Sequence, residues 1–304
     1  MPTTITFKSG GLHCAGDLYL PQGFDAARQY PGLVLGHGTA QTKQSLVEQG
    51  EFFSRAGYVV LALDYRSFGE SEGEPRGQIF PLNQVEDFRN GVSFLQRVQG
   101  VAPQRIGIWG TSYSGGVVIY AAAVDRRIKA VVAQVPVVTH YRWMRWLRSH
   151  GQWWELLDRL EEDRQRRYDG LAGARIPVST VAGFSFRPGV ERTARKFAEV
   201  LRQTGKPLLA SGAPDVLLES AEKTLEFNAT SVIEQIAPRA LCLITTTDDE
   251  AHPIEQILEA FEKAKEPKRL LLLGRTVLDV YWGPGLSLAL GGAAQWYDQY
   301  LKER

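Results

Sequence analysis

The sequence predicts an α/β fold, a mostly parallel, doubly wound sheet with helices on both faces and an inserted helical lid. Three observations lead to it. Short apolar runs bounded by turn residues alternate with segments of helical spacing towards both ends of the chain. At the centre, Arg105–Gly116 (RIGIWGTSYSGG) reads as a buried strand, a sharp turn and the start of a helix. After Val138 the alternation stops, and it resumes only near Ile233.

Taken in order, Thr4–Lys8 and Leu12–Leu20 are expected to form an opening hairpin around Ser9-Gly10-Gly11. Gly32–Leu35 is a buried strand ending at His37-Gly38-Thr39-Ala40, and Gln44–Ala56 carries Leu46, Phe52 and Phe53 at helical spacing before Gly57 closes it. Tyr58–Asp64 (YVVLALD) is a strand, followed by a glycine-punctuated loop, and Val85–Val98 is an amphipathic helix. Beyond the central turn, Val117–Ala123 starts a buried helix and Ile128–Val138 (IKAVVAQVPVV) is a strand. Thr139–Asp169 is helical, rich in Arg and Glu, and carries Trp143, Trp146, Trp153 and Trp154. These rings either line an apolar pocket or pack the segment onto the sheet. Gly189–Thr204 is expected to be helical and 205–230 irregular. Arg239–Thr246, Pro253–Lys265, Arg269–Leu273 and Leu288–Lys302 then read as strand, helix, strand and helix. The expected division is a core of residues 1–138 and 234–304, with a lid insertion at 139–233.

Composition narrows the functional classes. The chain has 304 residues, 44% hydrophobic and 23% charged, with a formal net charge of +1, so nothing invites nucleic acid or an anionic membrane surface. Arg164–Arg167 is offset by Glu161, Glu162 and Asp163 and reads as a solvated helix face. Cys14 and Cys242 are too far apart for a metal or redox spacing, and no metal or organic cofactor is implied. The N-terminal MPTTITFKSG has neither the basic nor the apolar region of a signal peptide, and no apolar run approaches the roughly 20 residues of a membrane span. A cytoplasmic protein acting on a small molecule is the expectation, with its oligomeric state open.

The chemistry centres on Gly110-Thr111-Ser112-Tyr113-Ser114. A serine on a tight strand-to-helix turn, flanked by small residues, is a nucleophile elbow, and Ser112 is the candidate nucleophile. Ser114 stands where the pattern usually has Gly, with Gly115 and Gly116 following. The backbone N–H of Tyr113, the next residue, is positioned to donate to a developing oxyanion.

Several motifs in this order resemble the α/β-hydrolase superfamily, in particular its cytosolic esterase, thioesterase and dienelactone-hydrolase-like members with an inserted cap. They are His37-Gly38 after the third strand, Asp64-Tyr65-Arg66-Ser67-Phe68-Gly69-Glu70-Ser71, the Ser112 elbow, and Asp248-Asp249-Glu250-Ala251-His252-Pro253. The resemblance implies the α/β-hydrolase fold, a second oxyanion donor at Thr39 (or Ala40), and a triad acid at Asp249, with Asp248 second. Ser67 replaces a usual glycine of the second motif. The ending Gly274-Arg275-Thr276-Val277-Leu278-Asp279-Val280-Tyr281 resembles the family's G-x-x-H-[FY]-D-x-Y, but Val277 stands at the histidine.

No histidine follows His252. A valine cannot take a proton from Ser112, and an unassisted hydroxyl is a weak nucleophile near neutral pH. His13 belongs to the opening hairpin, His140 and His150 belong to the lid and could overhang the pocket, and His37 supports its own loop. His252, three residues past Asp249, is either a relocated base or an ordinary loop residue. Asp279 reads as structural. The expected function is a serine-hydrolase-type reaction on an ester, thioester or related carbonyl of a small apolar or aromatic substrate, attenuated or altered by the missing histidine unless the base is relocated. The alternatives are a non-hydrolytic cyclase or lyase, a ligand-binding pseudo-enzyme, or a hydrolase silenced at Val277.

Overall fold

Every residue of Val59–Leu63 is buried, so this strand must be covered on both faces. Alternate side chains enter different cores: Val59, Leu61 and Leu63 join one apolar layer, while Val60 and Ala62 join the other. That split organises the molecule. The computed structural model describes residues 2–178 and 215–302, and between them the single positions 181, 195, 198, 199 and 202.

Eight strands form the central sheet: β1 (Thr3–Ser9), β2 (Leu12–Tyr19), β3 (Tyr30–Gly36), β4 (Val59–Leu63), β5 (Val101–Thr111), β6 (Ile128–Gln134), β9 (Ala240–Asp248) and β10 (Lys268–Thr276). Their order is β1-β2-β4-β3-β5-β6-β9-β10. β1 and β2 form the hairpin, β2 lies antiparallel to β4, and every later pairing is parallel. One face carries α2 (Pro81–Leu95) and α3 (Tyr113–Val124), and the other carries α1 (Val47–Arg55) and α8 (Gly283–Leu301). Helix α7 (Ile254–Lys263) follows β9. This is the doubly wound α/β architecture read from the sequence.

The remaining described elements lie between β6 and β9: α4 (His140–Trp146), α5 (His150–Tyr168), the strand pair β7 (Arg175–Pro177) and β8 (Asp215–Leu217), and α6 (Glu219–Glu226). The long helical segment expected from Thr139 is therefore two helices. Ser149 starts the second with a reciprocal capping box to Gln152. Trp143 and Trp153 are buried in the packing, whereas Trp154 is exposed. Arg167 is more than a solvated charge, because it pairs with Asp163 at 2.9 Å and Glu222 at 2.5 Å and so ties α5 to α6.

Several boundaries differ from expectation for local reasons. The strand expected to reach Val138 ends at Gln134, because Val135 takes a left-handed φ of 40° and the chain turns. The last helix starts at Gly283 rather than Leu288, with Pro284 in its first turn. Segment 205–230 was expected to be irregular, yet it holds β8 and α6, elements too short for a periodic signal. The helix expected at Gly189–Thr204 lies outside the described residues. No described helix is long and apolar enough to cross a membrane.

A buried charge pair fastens the hairpin to the rest. Asp87 on α2 accepts from Ser9 Oγ at 2.6 Å, from Arg66 Nε at 2.8 Å and from the Arg66 amide at 3.0 Å. Replacing Arg66 by Met leaves this carboxylate buried without its cation, and we expect unfolding free energy in denaturant titration to fall by about 3–5 kcal/mol. Ser67, where a glycine is usual, has φ 69°. Ser67→Gly relieves the left-handed strain, and the same titration should show a gain of about 1 kcal/mol.

Candidate active site

The site is built at the carboxyl ends of β3, β5 and β9, and its geometry begins with crowding behind Ser112. Ser112 sits between β5 and α3 with φ 54° and ψ −118°, a conformation costing a non-glycine residue on the order of 1–3 kcal/mol. The neighbours explain the small residues around it. A Cβ on Gly110 would meet Ser114 O at 2.5 Å, one on Gly115 would meet Pro136 Cβ at 2.6 Å, and one on Gly116 would collide with Val137 O. The Ser112 amide donates to Gln134 O at 2.9 Å, and its carbonyl accepts from Val137 N at 3.0 Å, so the turn is pinned from both sides.

Ser114 departs from the usual glycine for a visible reason. Its hydroxyl donates to His37 O at 2.5 Å and is in contact with the Tyr65 hydroxyl. One oxygen thus joins the elbow to the ends of β3 and β4. His37 donates Nδ1–H to Gly38 O at 2.9 Å, and burial pushes its imidazole down to about 4, so it stays neutral as a support for the loop.

His252 faces Ser112 directly. Ser112 Oγ donates to His252 Nε2 at 2.9 Å, and His252 Nδ1–H donates to Asp249, 3.0 Å from Oδ2 and 3.2 Å from Oδ1. The His252 side chain is 5% exposed and that of Asp249 0%. Asp249 Oδ1 also accepts the amides of Ala251 and His252, each at 2.8 Å, so the carboxylate and the imidazole are held in one short knot of chain after β9.

Val277 lies elsewhere. It is 4% exposed and packs among Val280, Leu286 and Ala289 in the layer under α8. Its single 3-10 turn (Val277–Val280) is closed by Asp279, whose Oδ2 accepts the Thr276 amide and hydroxyl at 3.0 Å each, which is the structural role expected of Asp279. His13, His150 and His140 are engaged elsewhere. His13 pairs with Glu72 at 3.2 Å on the surface, and His150 accepts from Trp154 Nε1 at 2.9 Å. His140, which could have overhung the pocket, instead packs fully buried against the elbow helix. Its ring centroid lies 4.8 Å from Tyr113 and 4.9 Å from Phe227, and burial lowers its imidazole to about 3.

The loop carrying Thr39 abuts the elbow. Gln41 N donates to Gly38 O at 3.3 Å, Thr39 and Ala40 form the centre of that turn, and a Cβ on Gly38 would lie 3.8 Å from Ser112 Cβ. Tyr113 is the first residue of α3, so its N–H has no acceptor within the helix. Two contacts were not foreseen in the sequence. Thr111 Oγ1 donates to the Tyr281 hydroxyl at 3.0 Å; burial raises that phenol well above its ordinary value, and Ser112 and Asp249 also act on it. Trp143 Nε1 donates to Ala251 O at 2.9 Å, next to His252. Neither partner is close in sequence, so no local pattern could reveal the contacts. Among the described residues no group of three or more His, Cys, Asp and Glu could hold a metal ion.

Comparison with known proteins agrees with this fold. The family model for X-Pro dipeptidyl-peptidase (S15 family) matches residues 15–276. The polyketide transferase grgF of Penicillium sp is 28% identical over 262 residues, covering 86% of this chain and 85% of that protein. The crystal structure of α/β-hydrolase GrgF covers 100% of both chains with a TM-score of 0.83 at 25% identity. The thiohydrolase aneE of Aspergillus aculeatus is 27% identical over 269 residues, 86% of this chain and 80% of that one. A hypothetical protein of Pseudomonas aeruginosa, PA2218, superposes with a TM-score of 0.84 at 26% identity, over 99% of this chain and 94% of the other. The strand order, the elbow after β5 and a match spanning most of the sequence converge: the chain belongs to the S15 peptidase family of the α/β-hydrolase superfamily.

Proposed function

We propose that this hydrolase-type enzyme cleaves ester- or thioester-type carbonyls by acyl transfer through Ser112, with His252 as general base and Asp249 as the acid that orients it. The observation that carries the reading is the continuous hydrogen-bond chain from Ser112 Oγ through the two ring nitrogens of His252 to Asp249. Chain order is serine, acid, histidine, as the fold requires, but the base comes from the acid's own loop.

The chemistry follows from these positions. Ser112 Oγ bonds to the carbonyl carbon while its proton passes to His252 Nε2, and Asp249 stabilises the imidazolium. The backbone N–H groups of Tyr113 and Thr39 receive the oxyanion. Collapse breaks the bond to the leaving alcohol or thiol, which takes the proton from His252. Water, or another hydroxyl acceptor, then gives its proton to His252 and attacks the acyl carbon; collapse breaks the bond from Ser112 Oγ to that carbon, and Oγ takes the proton back from His252. Relatives named as a thiohydrolase and a polyketide transferase favour a thioester or ester carbonyl, with the acceptor deciding between hydrolysis and transfer. Segment 139–233 serves as the lid over this edge. The half-buried rings of Tyr281 and Trp282 suit a small apolar or aromatic acyl group.

Turnover of p-nitrophenyl acetate and butyrate tests the assignment. We expect His252→Ala and Ser112→Ala each to lower kcat by about 10⁴–10⁶, with the double variant no worse than either single one. His252→Ala at undiminished rate would sink the base assignment. Val277→His should bring no gain and should lower the melting temperature, because it puts an imidazole into an aliphatic layer. A rise of several orders of magnitude in that variant would mean that the base belongs at position 277.

A further inference from the structure

We infer that Trp143 is a positioning residue for His252, and that α4 acts as a strut between the nucleophile's neighbour and the base's neighbour. The inference rests on the reading of His252 as general base.

The hydrogen bonds inside the acid–base loop explain its shape but not its aim. Asp249 collects the amides of Ala251 and His252, so the loop is a compact unit that could shift as a whole relative to Ser112. An external contact from α4 sets its place. The Trp143 indole N–H reaches the carbonyl of Ala251, one peptide away from His252. Trp143 is 2% and Ala251 4% exposed, so the bond is shielded from water, and losing it would strand a buried donor and a buried acceptor.

The same helix grips the other half of the site. His140, three residues before Trp143 and so on the same helix face, packs edge-on against Tyr113, the residue after the nucleophile. Its contact partner Phe227 precedes Asn228, which bridges to Thr139 at the start of α4, so that end of the helix is fixed by packing and backbone pairing together. On the outer side, Arg142 pairs with Glu259 of α7, the helix into which the acid–base loop runs, with one oxygen at 3.1 Å. One short helix therefore spans from Tyr113 to Ala251, and the distance between Ser112 and His252 depends on how α4 is seated. A histidine supplied from position 277 would have had the α8 layer behind it. A base on the β9–α7 loop has α4 instead.

The test removes the N–H while keeping the shape. In the full-length protein, Trp143→Phe retains an aromatic ring, and benzothienylalanine at position 143 retains the bicyclic outline with sulfur in place of N–H, which keeps the test available if the smaller ring disturbs folding. With p-nitrophenyl butyrate, assayed well below the melting temperature of each variant, we expect kcat about 10-fold lower with KM unchanged, and labelling of Ser112 by a fluorophosphonate about 10-fold slower. The downfield proton resonance of the His252–Asp249 hydrogen bond should broaden or move. Unchanged kcat and labelling in the benzothienylalanine protein overturn the inference, as does a loss confined to KM. His252→Ala run alongside separates the two levels. If it abolishes turnover while the position-143 change has no effect, only the strut is wrong; if it leaves turnover intact, the base assignment itself has failed.

Discussion

The left-handed backbone of Ser112 is the constraint on which the site depends. A strand that ran on smoothly into α3 would bury the hydroxyl in the sheet. The turn at φ 54° lifts it out, at a local cost that the surroundings must offset. Gly110 leaves room for the start of α3, Gly115 and Gly116 allow the loop after β6 to close behind the turn, and Gln134 and Val137 hold its amide and carbonyl. Because the elbow is rigid, everything else can be arranged around one fixed oxygen: the His37–Gln41 loop on one side, the Asp249–His252 loop on another, and α4 touching both Tyr113 and Ala251.

Polar groups buried near this oxygen are tied across elements rather than within them. Ser114 links β3, β4 and the elbow through one hydroxyl. Asp64, at the end of β4, accepts the amides of Lys43 at 2.7 Å and Glu70 at 3.0 Å, joining the two loops that flank the His37 turn. Lys43 in turn is buried against Asp17 at 3.0 Å and Glu70 at 2.9 Å. Such contacts leave the His37–Gln41 loop little freedom, as the proposed role in holding a developing oxyanion requires.

On the proposed reading, a base at His252 changes what the site leans on. With acid and base three residues apart, their mutual geometry is settled locally by two amides of the same loop. Their placement against Ser112 is not local, and it passes to contacts made by α4. Meanwhile the turn after β10 becomes ordinary core: Val277 fills an aliphatic layer, and Asp279 caps its own turn.

The sequence by itself determined the architecture, because burial on both faces of β3, β4, β5 and β6 leaves apolar runs that only a covered parallel sheet can satisfy. It also determined the elbow, since the small residues at 110, 114, 115 and 116 answer a steric demand that is local in the chain. It named Asp249 and His252 as candidates, but a histidine three residues beyond an acid has the same local pattern whether it faces a nucleophile or solvent. Only the tertiary structure decided that, because the closing contact spans residues 112 and 252. Tertiary structure likewise turned His140 inward, gave Ser114 its partners, put Val277 in the core and brought Trp143 to Ala251. Each of these depends on residues far apart in sequence that meet only when the sheet is assembled, and periodicity and spacing carry no record of such meetings.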